Sequence, residues 1–325
     1  MFRIKSNRTG LLVELDESGD ITPLPTIIQD YIEANATVMV WGEPGSYKSF
    51  IVTDWMLSVA SGLPWCGKKT VQGSAWYLAG EGHGGIRQRI AAWRMSKRYD
   101  GPLDIMYSTK AISLDSDSGD KSEGLKELLN LVNTGEVPSM IVVDTLARSM
   151  VGDENSTRDA SRFVAATDEL IAAIRSTGSD CCIVLVHHSR KDGGTYRGSS
   201  AFRGAIDIEF EVSRLNNQGA LVTAHKRKDG ELPQPIQLKG KVVSLGLATD
   251  NHGDQRDITS LTFEQASLEN QKRSFVEEVT MQAEHIVRIL KRDYPNNAAT
   301  RNQLIESLRK EGIKFRTVEF SAWMD

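Results

Sequence analysis

The chain has 325 residues, a hydrophobic content of 40% and a charged content of 25%, which suits one large globular domain with a small one attached. A formal net charge of −4 excludes a global basic field, so any nucleic-acid contact must come from local patches. The three cysteines, Cys66, Cys181 and Cys182, have no C-x-x-C spacing, which argues against a zinc site or disulfide framework and fits a reducing, cytoplasmic setting.

No apolar run reaches bilayer length, so no membrane partner is expected, and the first residues lack a signal-peptide core. Residues 1–29 read as an N-terminal arm, with an edge strand over 11–15. Residues 21–25 are extended, because a residue before proline is pushed out of the helical region. Residues 27–34 read as a short helix. The apolar run Thr37-Val38-Met39-Val40-Trp41 is a strand, and residues 50–60 form a helix.

Between them stands Gly42-Glu43-Pro44-Gly45-Ser46-Tyr47-Lys48-Ser49. Strand, glycine-bearing turn, Lys-Ser and helix is the layout of a phosphate-binding P-loop. Turn amides and the first free N–H groups of the helix converge on one spot, with the positive end of the helix dipole behind them. Lys48 then reaches terminal phosphate oxygens, and the Ser49 hydroxyl is placed to ligate Mg²⁺. With Phe50, these residues are the expected ATP-binding set. One position departs from the usual G-x-x-x-x-G-K-[ST]: Tyr47 occupies the place of the second glycine, where close backbone approach to phosphate is needed.

Gly62 caps the first helix. The strand Ser74-Ala75-Trp76-Tyr77-Leu78-Ala79 runs out to Gly80-Glu81, and ligands gather at the carboxyl ends of parallel strands. A helix carrying Arg87, Arg89 and Arg94 follows, then a strand over 103–107 and a helix over 124–132. The continuous apolar run Met140-Ile141-Val142-Val143 reads as a strand buried on both faces, ending at Asp144, the expected carboxylate of the Mg²⁺ shell. Residues 159–176 are an amphipathic helix. A second buried strand, residues 182–186, ends on His187-His188, at least one read as a polar group sensing a γ-phosphate, or else as a capping or core histidine.

Residues 189–200 are a basic, glycine-rich loop with Arg190, Lys191, Tyr196 and Arg197, the ingredients for holding a single-stranded backbone. Further strands are expected over 208–212 and 221–224, the latter leading into the basic hairpin tip His225-Lys226-Arg227-Lys228-Asp229-Gly230. Strands over 236–238 and 241–245 extend the sheet, and residues 247–260 read as a polar loop. Residues 271–325 read as three short helices with several basic residues, a helix-turn-helix or winged-helix module.

The ordered set of the P-loop, the strand to Glu81, Val143-Asp144-Thr145-Leu146, His187-His188-Ser189-Arg190-Lys191 and Arg197-Gly198-Ser199-Ser200 resembles the RecA-like ATPases of the plasmid RepA hexameric-helicase type. The resemblance covers about residues 30–245, inside an ATPase core drawn at 30–262. It implies a RecA-like α/β fold with a mostly parallel central sheet flanked by helices, ATP and Mg²⁺ as cofactors, and a homo-hexamer on single-stranded DNA with a replication initiator or primase as partner. It also implies that Glu81 polarises the attacking water and that His187 or His188 couples nucleotide to the channel loop. Lys226 and Lys228 match the position from which such hexamers insert cations into a neighbour's site. The expected activity is an ATP-hydrolysing helicase motor of plasmid or phage replication. The alternatives are an ATP-switched DNA-binding regulator or a recombinase-like ATPase without unwinding.

Overall fold

The computed structural model describes residues 23–80, 83–190, 194–215, 218–267, 286–293 and 301–310. The chain divides into two compact units, Met1–Gln265 and Ala266–Asp325. In the second unit, residues 286–293 and Arg301–Lys310 are helical, forming a C-terminal helical region. The rest of the expected C-terminal module and the edge strand over 11–15 lie outside the described residues.

The first unit opens on β1 (Thr26–Ile28) and β2 (Ile32–Glu33), then β3 (Thr37–Gly42) and α1 (Lys48–Ser61). Next come β4 (Ser74–Ala79), α2 (Ile86–Lys97), β5 (Ile105–Tyr107), α3 (Glu123–Asn133) and β6 (Pro138–Asp144). The short α4 (Leu146–Ser149) leads to α5 (Thr157–Ser176), β7 (Cys182–His188) and α6 (Ser200–Ala205). Four strands close the unit: β8 (Ile208–Leu215), β9 (Gly219–Arg227), β10 (Ile236–Thr249) and β11 (Gln255–Gln265).

The main sheet has the order β11-β10-β9-β8-β3-β7-β6-β4-β5. From β8 to β5 neighbouring strands are parallel, and from β8 to β11 they are antiparallel. This is a RecA-like α/β fold whose central sheet is mixed. Both faces of the parallel part are covered, so its strands are almost continuously apolar. Val38, Val40, Tyr77, Val142, Val184 and Val186 face α1 and α2. Met39, Trp41, Ile141, Val143, Ile183 and Leu185 face α3 and α5. The vicinal cysteines divide between the two faces, Cys181 to one and Cys182 to the other, as strand alternation requires.

The antiparallel half curls over the α1–α2 face. Phe263 of β11 packs against Tyr47 and Phe50, and Thr262 Oγ1 donates to Ser96 Oγ of α2 at 3.3 Å. Inside this layer the Asp54 carboxylate of α1 accepts from the indoles of Trp65 and Trp93, which pins α2 against α1.

Two expectations are corrected. Residues 27–34 form the β1–β2 hairpin, not a helix. The apolar pairs at 27–28 and 31–32 mimic helical spacing, but Asp30 and Asn35 sit in the left-handed region at φ 55 and 59 and turn the chain. The hairpin then pairs outward, Gln29 N–H to the Lys69 carbonyl and Val71 N–H to the Ile27 carbonyl. Residues 247–260 are not a loop. β10 runs on to Thr249, Asp250 Oδ1 accepts from the N–H groups of His252 and Asp254 in a tight turn, and β11 returns antiparallel. Most of this hairpin faces solvent, so its alternation lacks an apolar face to reveal it.

Candidate nucleotide site and adjoining basic loop

The P-loop residues join β3 to α1 as expected. Gly42 has no room for a side chain: a Cβ there would meet the Val212 carbonyl oxygen at 2.3 Å and Ser46 Oγ at 2.8 Å. Gly45 supplies a left-handed turn at φ 76. Tyr47 also sits in the left-handed region, at φ 72 and ψ 13, immediately before α1. A β-carbon there costs about 1–2 kcal/mol. Ring contacts offset it: Phe263 at 5.3 Å, Phe50 at 6.4 Å and the Arg214 guanidinium over the ring at 5.2 Å.

Lys48 is buried, and its ammonium donates to the carbonyls of Gly42 at 3.0 Å and Glu43 at 2.9 Å. Burial lowers its pKa to about 8 against the opposing fields of Asp144 and Glu43. Ser46 Oγ is buried and finds no hydrogen-bond partner among the described residues. A buried lysine held by loop carbonyls, an unmet hydroxyl and helix-terminal N–H groups together fit an anionic phosphate group. Ser49, on the first turn of α1, is half-buried.

Strand alternation and parallel register bring the other candidates to the same edge. Asp144 pairs with Ala79 on one side and Val186 on the other, and His188 pairs with Gly42. Asp144, Tyr77 and His188 project toward the α1 face, while His187 projects to the other. Asp144 is buried and its Oδ2 accepts the Tyr77 hydroxyl at 2.5 Å. Glu81 lies outside the described residues.

His187 is fully buried beside Tyr196, and its Nε2 meets the Arg197 carbonyl at 3.1 Å and Glu154 Oε2 at 3.6 Å. Burial, with His188 adding to it, holds its pKa down to about 4, so the ring is neutral near pH 7. Burial likewise raises the Glu154 carboxyl. The backbone ties continue along the loop: Arg197 N–H to the His188 carbonyl, Ser189 N–H to the Gly42 carbonyl and Ser199 N–H to the Glu154 carbonyl. The basic loop is thus hydrogen-bonded to the P-loop's first residue.

Within that loop Arg190 and Arg197 are exposed, and Lys191 lies outside the described residues. Tyr196, expected to stack on bases, is only 3% exposed and donates its hydroxyl to Glu209 Oε1 at 2.9 Å. Its ring is a buried anchor between Trp41 and His187, with no face open to a base.

Lys226 and Lys228 lie elsewhere. Arg227 pairs with Ile208, which pairs with Val38, so both lysines sit at the amino end of β3. Gly42 is four residues further along, about 13 Å at about 3.3 Å per residue. Lys226 Nζ donates to the carbonyls of Arg203 and Ile206 at the end of α6, while Lys228 is 62% exposed and 3.5 Å from Asp207 Oδ1. The sequence reading missed Tyr77, Arg89 and Arg214 as neighbours of this site. Tyr77 was visible as a lone phenol in an apolar strand, but its pairing with Asp144 depends on strand order.

No curated protein matches the chain. Among solved structures the chain is similar to an ATPase domain, with a TM-score of 0.44 and 13% identity over 63% of this chain and 81% of that one. A family model described as AAA domain matches residues 4–194, more than half of the chain. The chain therefore belongs to the AAA domain family and is an ATP-binding, ATP-hydrolysing protein.

Proposed function

We propose that this protein is a ring-forming, ATP-hydrolysing motor acting on single-stranded DNA, a replicative helicase of plasmid or phage type. The observation that supports it is the direct attachment of the basic loop to the nucleotide edge. Gly42 of the P-loop pairs with His188, and His187 holds the carbonyl of Arg197 in that loop. A change at the phosphate end of β3 has a short, hydrogen-bonded route to the exposed Arg190 and Arg197.

In this reading Lys48 and the α1 N–H groups bind the phosphates. Ser49 and Asp144 would hold Mg²⁺, which when bound neutralises charge on the phosphate oxygens. Glu81 orients the attacking water. Lys228, exposed and too far from its own P-loop to serve it, acts on a neighbouring subunit's nucleotide, while Lys226 beside it holds the end of α6. Such a site, completed by a second copy, is what head-to-tail assembly around a channel provides.

Steady-state ATP hydrolysis with and without single-stranded DNA tests this, with Lys48→Ala as the blank. DNA stimulation that vanishes in the variant supports the motor. Nucleotide binding without stimulation favours a second reading, an ATP-switched DNA-binding regulator. Tyr47 in place of the loop glycine favours that reading, because a side chain stands where the backbone must approach phosphate closely.

A further inference from the structure

We propose that Tyr77 is the positioning residue that presents the Asp144 carboxylate to the metal shell. This rests on the nucleotide-hydrolysing reading above. Tyr77 is 2% exposed on β4, the strand beside β6. Its hydroxyl has one proton, and that proton goes to Asp144 Oδ2. The phenol oxygen in turn accepts from Arg89 Nη1 at 3.4 Å.

The chemistry follows from this arrangement. A carboxylate at the end of a strand turns about two side-chain bonds. A donor on a ring packed in the core holds one orientation, occupying Oδ2, so that Oδ1 is the oxygen that would serve the metal shell. Such outer partners orient ligands and raise their effectiveness. Tyr77 also reaches α1. Thr53 lies beside its hydroxyl, and Thr53 Oγ1 donates to the Ser49 carbonyl at 2.6 Å. The phenol therefore sits between α1, which carries Ser49, and β6, which carries Asp144, and sets their separation. Arg89 extends the chain into α2, the helix that follows the segment containing Glu81, and its guanidinium stacks over Phe50 at 4.6 Å.

The test is the binding of a fluorescent ATP analogue to the full chain, in chelator and across a Mg²⁺ titration. The parent, Tyr77→Phe, Asp144→Asn and the double variant are compared. Tyr77→Phe is expected to keep metal-free affinity within about twofold and to lose about tenfold of the Mg²⁺-dependent gain. The double variant is expected to lose no more than Asp144→Asn alone, because both changes act through one carboxylate. An unchanged Mg²⁺ dependence in Tyr77→Phe, or losses that add in the double variant, overturns the proposal. A parent chain that binds no nucleotide under any condition overturns the nucleotide reading instead, and this inference with it. Should Tyr77→Phe fail to fold, fluorotyrosine at position 77 of the otherwise unchanged chain gives the answer by fluorine NMR. Its signal is expected to move when Mg²⁺ joins the nucleotide complex, and a signal indifferent to Mg²⁺ overturns the proposal.

Discussion

Tyr47 allows one local claim to be tested with a definite sign. Its backbone is left-handed, at φ 72 and ψ 13, and its ring holds Phe263 at 5.3 Å and the Arg214 guanidinium at 5.2 Å. Truncation to Ala removes these two contacts along with the longer one to Phe50, about 0.5–1.5 kcal/mol for the Phe263 pair and about 0.5–1 kcal/mol for the cation. The β-carbon remains, so the strain of about 1–2 kcal/mol remains too. Tyr47→Ala should therefore cost about 1–2.5 kcal/mol. Tyr47→Gly loses the same contacts, releases that strain and gives back about 0.5–1 kcal/mol in unfolded-chain entropy. It should be more stable than Tyr47→Ala by about 0.5–1 kcal/mol, the reverse of the usual order of these residues. Urea unfolding of the two variants, compared at equal slope, measures the difference. Tyr47→Ala equal to or more stable than Tyr47→Gly would refute the strain argument.

Three further outcomes are expected. Gly42→Ala puts a β-carbon 2.3 Å from the Val212 carbonyl oxygen, so it should cost about 1–3 kcal/mol and abolish nucleotide binding; an undiminished melting temperature and affinity would contradict it. His187 titrates at about 4 in the folded chain against 6.5 as a free side chain. The unfolded state binds the extra proton between these values, so stability should rise with pH across that window and be lost as pH falls through it. The limit is about 3 kcal/mol, and acid unfolding of His187→Gln should lack that part of the slope. Lys226→Ala leaves the carbonyls ending α6 without their donor and should lower stability by about 1–2 kcal/mol in a denaturation series. Lys228→Ala should stay within about 0.5 kcal/mol and lower only assembly-dependent ATP turnover; equal stability losses would remove the distinction.

The sequence by itself determined the parts whose chemistry is local. The P-loop, the caps such as Gly62, the buried strands ending at Asp144 and at His187-His188, and the amphipathic α5 all follow from spacing and residue type, because each is set by neighbours a few positions away. The tertiary structure decided everything that depends on which strands are adjacent. That order made the central sheet mixed, joined β10 and β11 into a hairpin with little apolar face to announce it, and carried Phe263 back onto Tyr47. It decided which of the two histidines meets the α1 side, turned Tyr196 from an expected surface aromatic into a buried anchor, and set Tyr77 against Asp144 across 67 positions of sequence. Periodicity shows that a strand has two faces, but it does not say which helix or side chain waits on each, and in this chain the face decides the chemistry.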